Sequence, residues 1–153
     1  MTDLGTLGGS ESFATGINAA GRVVGSSAIE SGLYHAFITG PGGGGMTDLG
    51  TLGGDVSHAT GINDAGQVVG DSMTEHVTQH VFITGPNGEG MTDLNSLAKL
   101  PNGAIFVSAE GINNLGQVIA TTVPEPASCA LMLAGLGLVG IMARRRKVAE
   151  NNA

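Results

Sequence analysis

Laid against itself, the chain repeats with a period of 45 residues, and no other feature constrains its fold as strongly. "MTDLGTLGG" begins at Met1 and again at Met46, and "MTDLNSLAK" begins at Met91. "ATGINAAGRVVGSS" at Ala14 returns as "ATGINDAGQVVGDS" at Ala59 and as "AEGINNLGQVIATT" at Ala109. "HAFITGP" at His35 returns as "HVFITGP" at His80. The third unit carries about five extra residues, around "LPNGAIFV", ahead of its "GIN".

Each unit reads as four short strands. "GIN", two residues, Gly and then "VVG" form a hairpin with a local mechanism. Asn at the first turn position caps the turn, and Gly at the fourth takes the left-handed conformation. Asn18 with Gly21, Asn63 with Gly66 and Asn113 with Gly116 meet this requirement. A second hairpin joins "HAFIT" to "MTDLGTL" across "GPGGGG", and "HVFIT" to "MTDLNSL" across "GPNGEG". Apolar residues alternate in these arms, as suits a half-buried sheet. With four Phe, one Tyr and no Trp, the core must be built from Val, Ile, Leu and Ala.

Four strands per unit is the make-up of a β-propeller blade, with a β-roll or stacked solenoid as alternatives. The expected fold is therefore an all-β repeat of propeller-blade-like, four-stranded units over residues 1–122, starting at 1, 46 and 91. It is incomplete. Eleven strands make fewer than three blades, the last unit has no closing "HAF" strand, and "MTDLGTL" at Met1 has no "HAFIT" arm before it. An open arc with exposed edges follows. These units resemble the HAF repeat family of bacterial extracellular proteins, named for the motif at His35, Ala36 and Phe37; the second unit departs from it at Val81.

The other segment with a physical signature is the ending, "VPEPASCALMLAGLGLVGIMARRRK", from Val123 to Lys147. Pro124 and Pro126 keep residues 123–126 extended, with Glu125 between them. Residues 127–143 carry no charge and would span roughly 26 Å as a helix, enough for a thin bilayer. They show no polar face, which sets them apart from a buried amphipathic helix. Arg144, Arg145, Arg146 and Lys147 follow at once and stop the segment on the cytoplasmic side, leaving residues 144–153 as a basic tail. The lone Cys129 serves as a small apolar filler within the run.

Pro-Glu-Pro, a short hydrophobic helix and a terminal Arg cluster together resemble the PEP-CTERM protein-sorting signal. The resemblance implies an exosortase as partner, a membrane-embedded enzyme that removes the helix. It places the precursor in the inner membrane with its body on the periplasmic side, and the product at the cell surface or in the extracellular matrix. Extracellular polysaccharide is a further expected partner. "MTDLGTLGGSES" has neither the basic start nor the apolar stretch of an export signal. The expectation is a C-terminal piece of a longer protein, or a reading frame begun at an internal repeat methionine.

The residues offer no catalytic group, and neither a metal nor a cofactor is expected. The net charge is −7, and residues 1–122 hold eleven Asp and Glu against Arg22 and Lys99, a balance that repels nucleic acid. His76 and His80 are four apart, but on a loop entering a strand rather than on a helix. "GPGGGG" lacks the Lys-Ser/Thr pair of a phosphate loop. Asp3, Asp48 and Asp93 recur at one repeat position and read as turn or strand-end residues. The function read from the chain is a non-enzymatic surface or matrix scaffold or adhesion component. Its alternatives are the C-terminal fragment of an exported hydrolase, or a calcium-dependent adhesin that would have Asp64 as its one added carboxylate.

Overall fold

A computed structural model describes residues 1–124. Its ten strands are β1 (Gly8–Ile17), β2 (Val23–Ile29), β3 (Tyr34–Thr39), β4 (Met46–Gly50), β5 (Gly53–Ile62), β6 (Val68–Thr74), β7 (Gln79–Thr84), β8 (Met91–Asp93), β9 (Ile105–Ile112) and β10 (Val118–Val123). They form three antiparallel sheets in which each strand pairs with its neighbour in sequence: β1-β2-β3-β4, β5-β6-β7-β8, and the two-stranded β9-β10. Short turns rich in Gly and Asn allow this meander, because antiparallel neighbours need only a few connecting residues. Sheet boundaries fall between Gly50 and Gly53, so one structural unit runs from Gly8 to Gly50 and the next from Gly53 to Asp93.

Registers repeat along with the sequence. Ala14 faces Gly25 and Gly16 faces Val24, with a bulge between; Ala59 faces Gly70 and Gly61 faces Val69, again with a bulge. The bulge brings backbone so close that only Gly fits opposite. A Cβ on Gly70 would lie 2.0 Å from the His58 carbonyl oxygen, and one on Gly25 would lie 1.9 Å from that of Phe13.

The three sheets stack face on face through two apolar interfaces. Val24, Ala36 and Ile38 of the first sheet meet Ala59, Val68 and Phe82 of the second, with Leu49, Leu52, Ile62 and Met91 around them. Val69 and Val81 on the other face of the second sheet meet Ala109 of the third, flanked by Ile83, Phe106, Ile112 and Val118. The core is built mainly from Val and Ala side chains, with Phe37 and Phe82 as its largest fully buried members.

Three features differ from the reading of the sequence. Residues 1–6 form no strand, giving ten strands rather than eleven; only Leu7 bridges, to Ile29. Among the described residues no arm lies beside residues 1–6 to complete their hydrogen bonds, and a strand needs one. In the third unit the strand that opens the repeat is cut to Met91–Asp93, and Leu94–Leu97 forms one helical turn with its Asn95 amide capped by the Asp93 side chain. Gly50 turns there with a φ of 76°, which Asn95 at the equivalent place does not adopt. The inserted residues, finally, form a tight turn at Pro101–Gly103 like those at Pro41–Gly43 and Pro86–Gly88, but it leads from the helical turn into β9 and joins no paired strands.

No closed barrel or propeller forms among the described residues. Nor does any helix among them have the length and apolarity to cross a membrane. The expected membrane helix at 127–143 lies outside the described residues, as do Glu125, Pro126, Arg144, Arg145, Arg146 and Lys147.

Candidate functional site

The three "GIN" turns lie one above another and are bonded into a ladder. Within each turn the amide of Gly21, Gly66 or Gly116 donates to the carbonyl of its Asn at 3.0 Å. The glycines hold φ of 72°, 77° and 76°, a conformation that side chains rarely adopt. The Asn18 carboxamide oxygen accepts from the Ala20 and Arg22 amides, Asn63 accepts from Gln67, and Asn113 accepts from Leu115 and Gln117. The first two carboxamide nitrogens then reach forward, while that of Asn113 donates to Gln117 Oε1 in its own turn. Asn18 Nδ2 donates to the Asn63 carbonyl at 3.0 Å, and Asn63 Nδ2 to the Asn113 carbonyl at 3.1 Å.

A second rung runs beside the first. The Ala19 amide donates to Asp64 Oδ1, the Asp64 amide donates to Asn114 Oδ1, and Asn114 Nδ2 returns to Asp64 Oδ2 at 2.8 Å. Asp64 therefore spends its carboxylate on backbone and amide donors. Among the described residues no cluster of three His, Cys, Asp or Glu could hold a metal ion.

Two His–Asp pairs join neighbouring strands at the outer edges of the sheets. His35 Nδ1 lies 2.8 Å from Asp48 Oδ2, and His80 Nδ1 lies 2.7 Å from Asp93 Oδ2. Asp48 and Asp93 also accept the amides of Gly50 and Asn95, so each Asp fixes its turn and its neighbouring strand together. These pairs were not read from the sequence, although a signal was present: His35 and Asp48 both recur 45 residues on, in step. Thr78 Oγ1 sits 3.5 Å from His80 Nε2 but is hydrogen-bonded to Thr74 Oγ1 at 2.7 Å. That is beyond the reach of about 2.6–3.2 Å at which a base takes a hydroxyl proton.

Charge elsewhere is handled locally. Tyr34 donates its hydroxyl to the Glu11 carboxylate, and this bond raises the phenol's pKa. Asp71 is half-buried between β5 and β7; that burial raises its pKa, while His58 and the Gln79 amide pull the other way.

The last described strand, β10, is an edge with β9 as its single partner. Residues 121–124 are all exposed, and Pro124 closes the strand because it has no amide hydrogen to continue the ladder. The stacked sheets define an all-β repeat protein whose described residues end on this exposed edge strand. The sequence from there on is recognisable in its own right: a family model of the PEP-CTERM protein-sorting motif matches residues 122–147. The chain is thereby marked as an exported protein, anchored at the membrane before an exosortase processes it. No curated protein and no solved structure matches the chain.

Proposed function

We propose that the protein is an exosortase substrate whose repeat body is a non-catalytic scaffold or adhesion component at the cell surface or in the extracellular matrix. Residues 127–143 cross the inner membrane as a helix, Arg144 to Lys147 hold the cytoplasmic side, and the body faces the periplasm. Exosortase recognises Pro124, Glu125 and Pro126 and removes the helix. The units are propeller-blade-like members of the HAF type, and extracellular polysaccharide is their partner. One observation carries this reading: the sorting motif begins on the exposed edge strand β10, where a processing enzyme reaches it without unfolding a sheet.

The turn ladder and the His–Asp pairs support a structural role for the polar residues that recur in the body. Each spends its hydrogen bonds on neighbouring turns or strands. Mass spectrometry of the tagged protein in its host, with and without the sorting protease, tests the proposal. The tail is lost only when the protease is present, and Glu125→Ala with Pro124→Ala retains it. A tail kept in both strains removes the proposal.

A further inference from the structure

Aromatic rings are scarce in this chain and unevenly placed. Of four Phe and one Tyr, Phe37 and Phe82 fill the core and Phe106 packs against it. The other two, Phe13 and Tyr34, stand together outside it with ring centroids 6.2 Å apart. His58 of the second sheet extends the row, its ring 6.4 Å from that of Tyr34. Phe13 is 53% exposed, yet it shares the face of Ser26 and Ala36, which is turned toward the second sheet. His58 holds the equivalent position 45 residues on, and it is exposed although sheets lie against both faces of its own. Exposure here belongs to the margin of the stack and not to either end of it.

Polar groups hold and flank the row. Tyr34 donates its hydroxyl to Glu11 Oε1, which fixes the phenol ring and leaves Oε2 to accept from a ligand. Beside Tyr34 and His58 lies a groove of about 420 Å³, walled by Leu33, Val56, Met73 and Val77 and edged by Asp55 and Glu75. Leu33 precedes Tyr34 in the chain, and Val56 is two residues from His58 along β5. Val77 is 78% exposed and holds a φ of 58°, which a β-branched residue rarely adopts; its equivalent in the first unit is Gly32. An apolar side chain thus stays at the rim on a backbone that favours glycine. No Lys or Arg lines the groove.

We propose that this row and groove bind an uncharged polysaccharide. A pyranose has two chemically different sides: C–H bonds on its faces, which lie against aromatic rings, and hydroxyls at its rim, which donate to carboxylates. Rings set beside Glu11, Asp55 and Glu75 meet both, and a row of three offers an extended glycan more than one contact. Exposed rings also stack nucleobases, but these carboxylates repel phosphate and, for the same reason, uronate or sulfated glycans. The site takes up the polysaccharide partner proposed for the body, rests on that reading, and narrows it to a neutral chain at a named place.

Tyr34 is the one tyrosine and the chain has no Trp, so tyrosine emission reports on this site. The full chain, in nonionic micelles whose headgroups carry no sugar, is titrated with the hexasaccharides of cellulose, laminarin and mannan, and with oligoguluronate. A saturating change in emission is expected with at least one neutral hexasaccharide and none with oligoguluronate. Calorimetry with that hexasaccharide is expected to show Kd raised about tenfold by Phe13→Ala and by Phe13→Leu, which keeps apolar bulk without a ring, and little changed by Phe13→Tyr. Phe13 is exposed, so an unchanged circular dichroism spectrum shows the fold intact. Oligoguluronate binding as tightly as the neutral glycans overturns the proposal. So does neutral binding that Phe13→Ala leaves unaltered, which keeps a polysaccharide partner but places it elsewhere on the body. Calorimetry that detects no glycan of either kind overturns the site and the polysaccharide reading together.

Discussion

Asn63→Ala is the most informative single substitution, because Asn63 is the middle rung of the turn ladder. Its side chain makes three hydrogen bonds: Oδ1 from the Gln67 amide at 3.0 Å, Nδ2 to Gln67 Oε1 at 2.8 Å, and Nδ2 to the Asn113 carbonyl at 3.1 Å. The residue is 3% exposed, so water does not readily replace the lost partners. At about 1 kcal/mol for each bond, the substitution costs about 3 kcal/mol. Asn113→Ala removes a carboxamide that is exposed and reaches no further turn, so it costs about 1 kcal/mol. Asn63→Asp keeps the acceptor and loses the donor, and falls between the two. The assay is urea unfolding of the full chain in nonionic micelles, followed by far-UV circular dichroism, with the unfolding slope checked for constancy. On a body of this size the Asn63→Ala loss lowers the thermal midpoint by about 10 °C. Equal costs for Asn63→Ala and Asn113→Ala would refute the reasoning, because stacking would then add nothing to the turns taken singly.

Three further outcomes follow from the same geometry. Ser57→Ala costs about 2 kcal/mol in the same urea titration, since the buried hydroxyl accepts the Ala36 amide and donates to the Gly50 carbonyl across two sheets; Ser12→Ala, at the half-buried equivalent whose hydroxyl donates to the Gly5 carbonyl and bonds no other sheet, costs about 1 kcal/mol or less. Gly70→Ala drives a Cβ into the His58 carbonyl oxygen and costs about 2–3 kcal/mol, read as a shift in the urea midpoint. Asp71 has its folded pKa raised, chiefly by burial, so its contribution to stability is present below the ordinary aspartate range and is lost as pH rises through the folded value. Asp71→Asn therefore raises the thermal midpoint at pH 7, and the gain over wild type vanishes on acidification; a gain that grew toward low pH would show the sign to be wrong.

Much of the fold was legible in the repeat. The strands, the Asn-x-x-Gly turns and the meander follow from local rules, because a turn of this kind satisfies its own hydrogen bonds within a few residues. Where the reading failed, the missing information was non-local. "MTDL" at Met1 and "MTDL" at Met46 have the same letters, yet only the second is a strand, because only the second has an arm beside it. The His–Asp pairs were hidden for a similar reason. Thirteen residues separate His35 from Asp48, and only the pairing of β3 with β4 brings them to 2.8 Å.

The Pro-Glu-Pro ending belongs to the other kind of information. Proline geometry, an uncharged run and a basic cluster are properties of the segment itself, so the sorting signal could be recognised with no fold in view. The sequence also determined, by itself, that the body is β-structure in repeated units, since hairpin turns act over short range. How the units meet was decided only in three dimensions. Ala14 and Ala59 occupy the same place in the same motif, yet one is exposed and the other buried. The difference is whether another sheet lies against them, and burial, unlike a turn, depends on what the rest of the chain brings alongside.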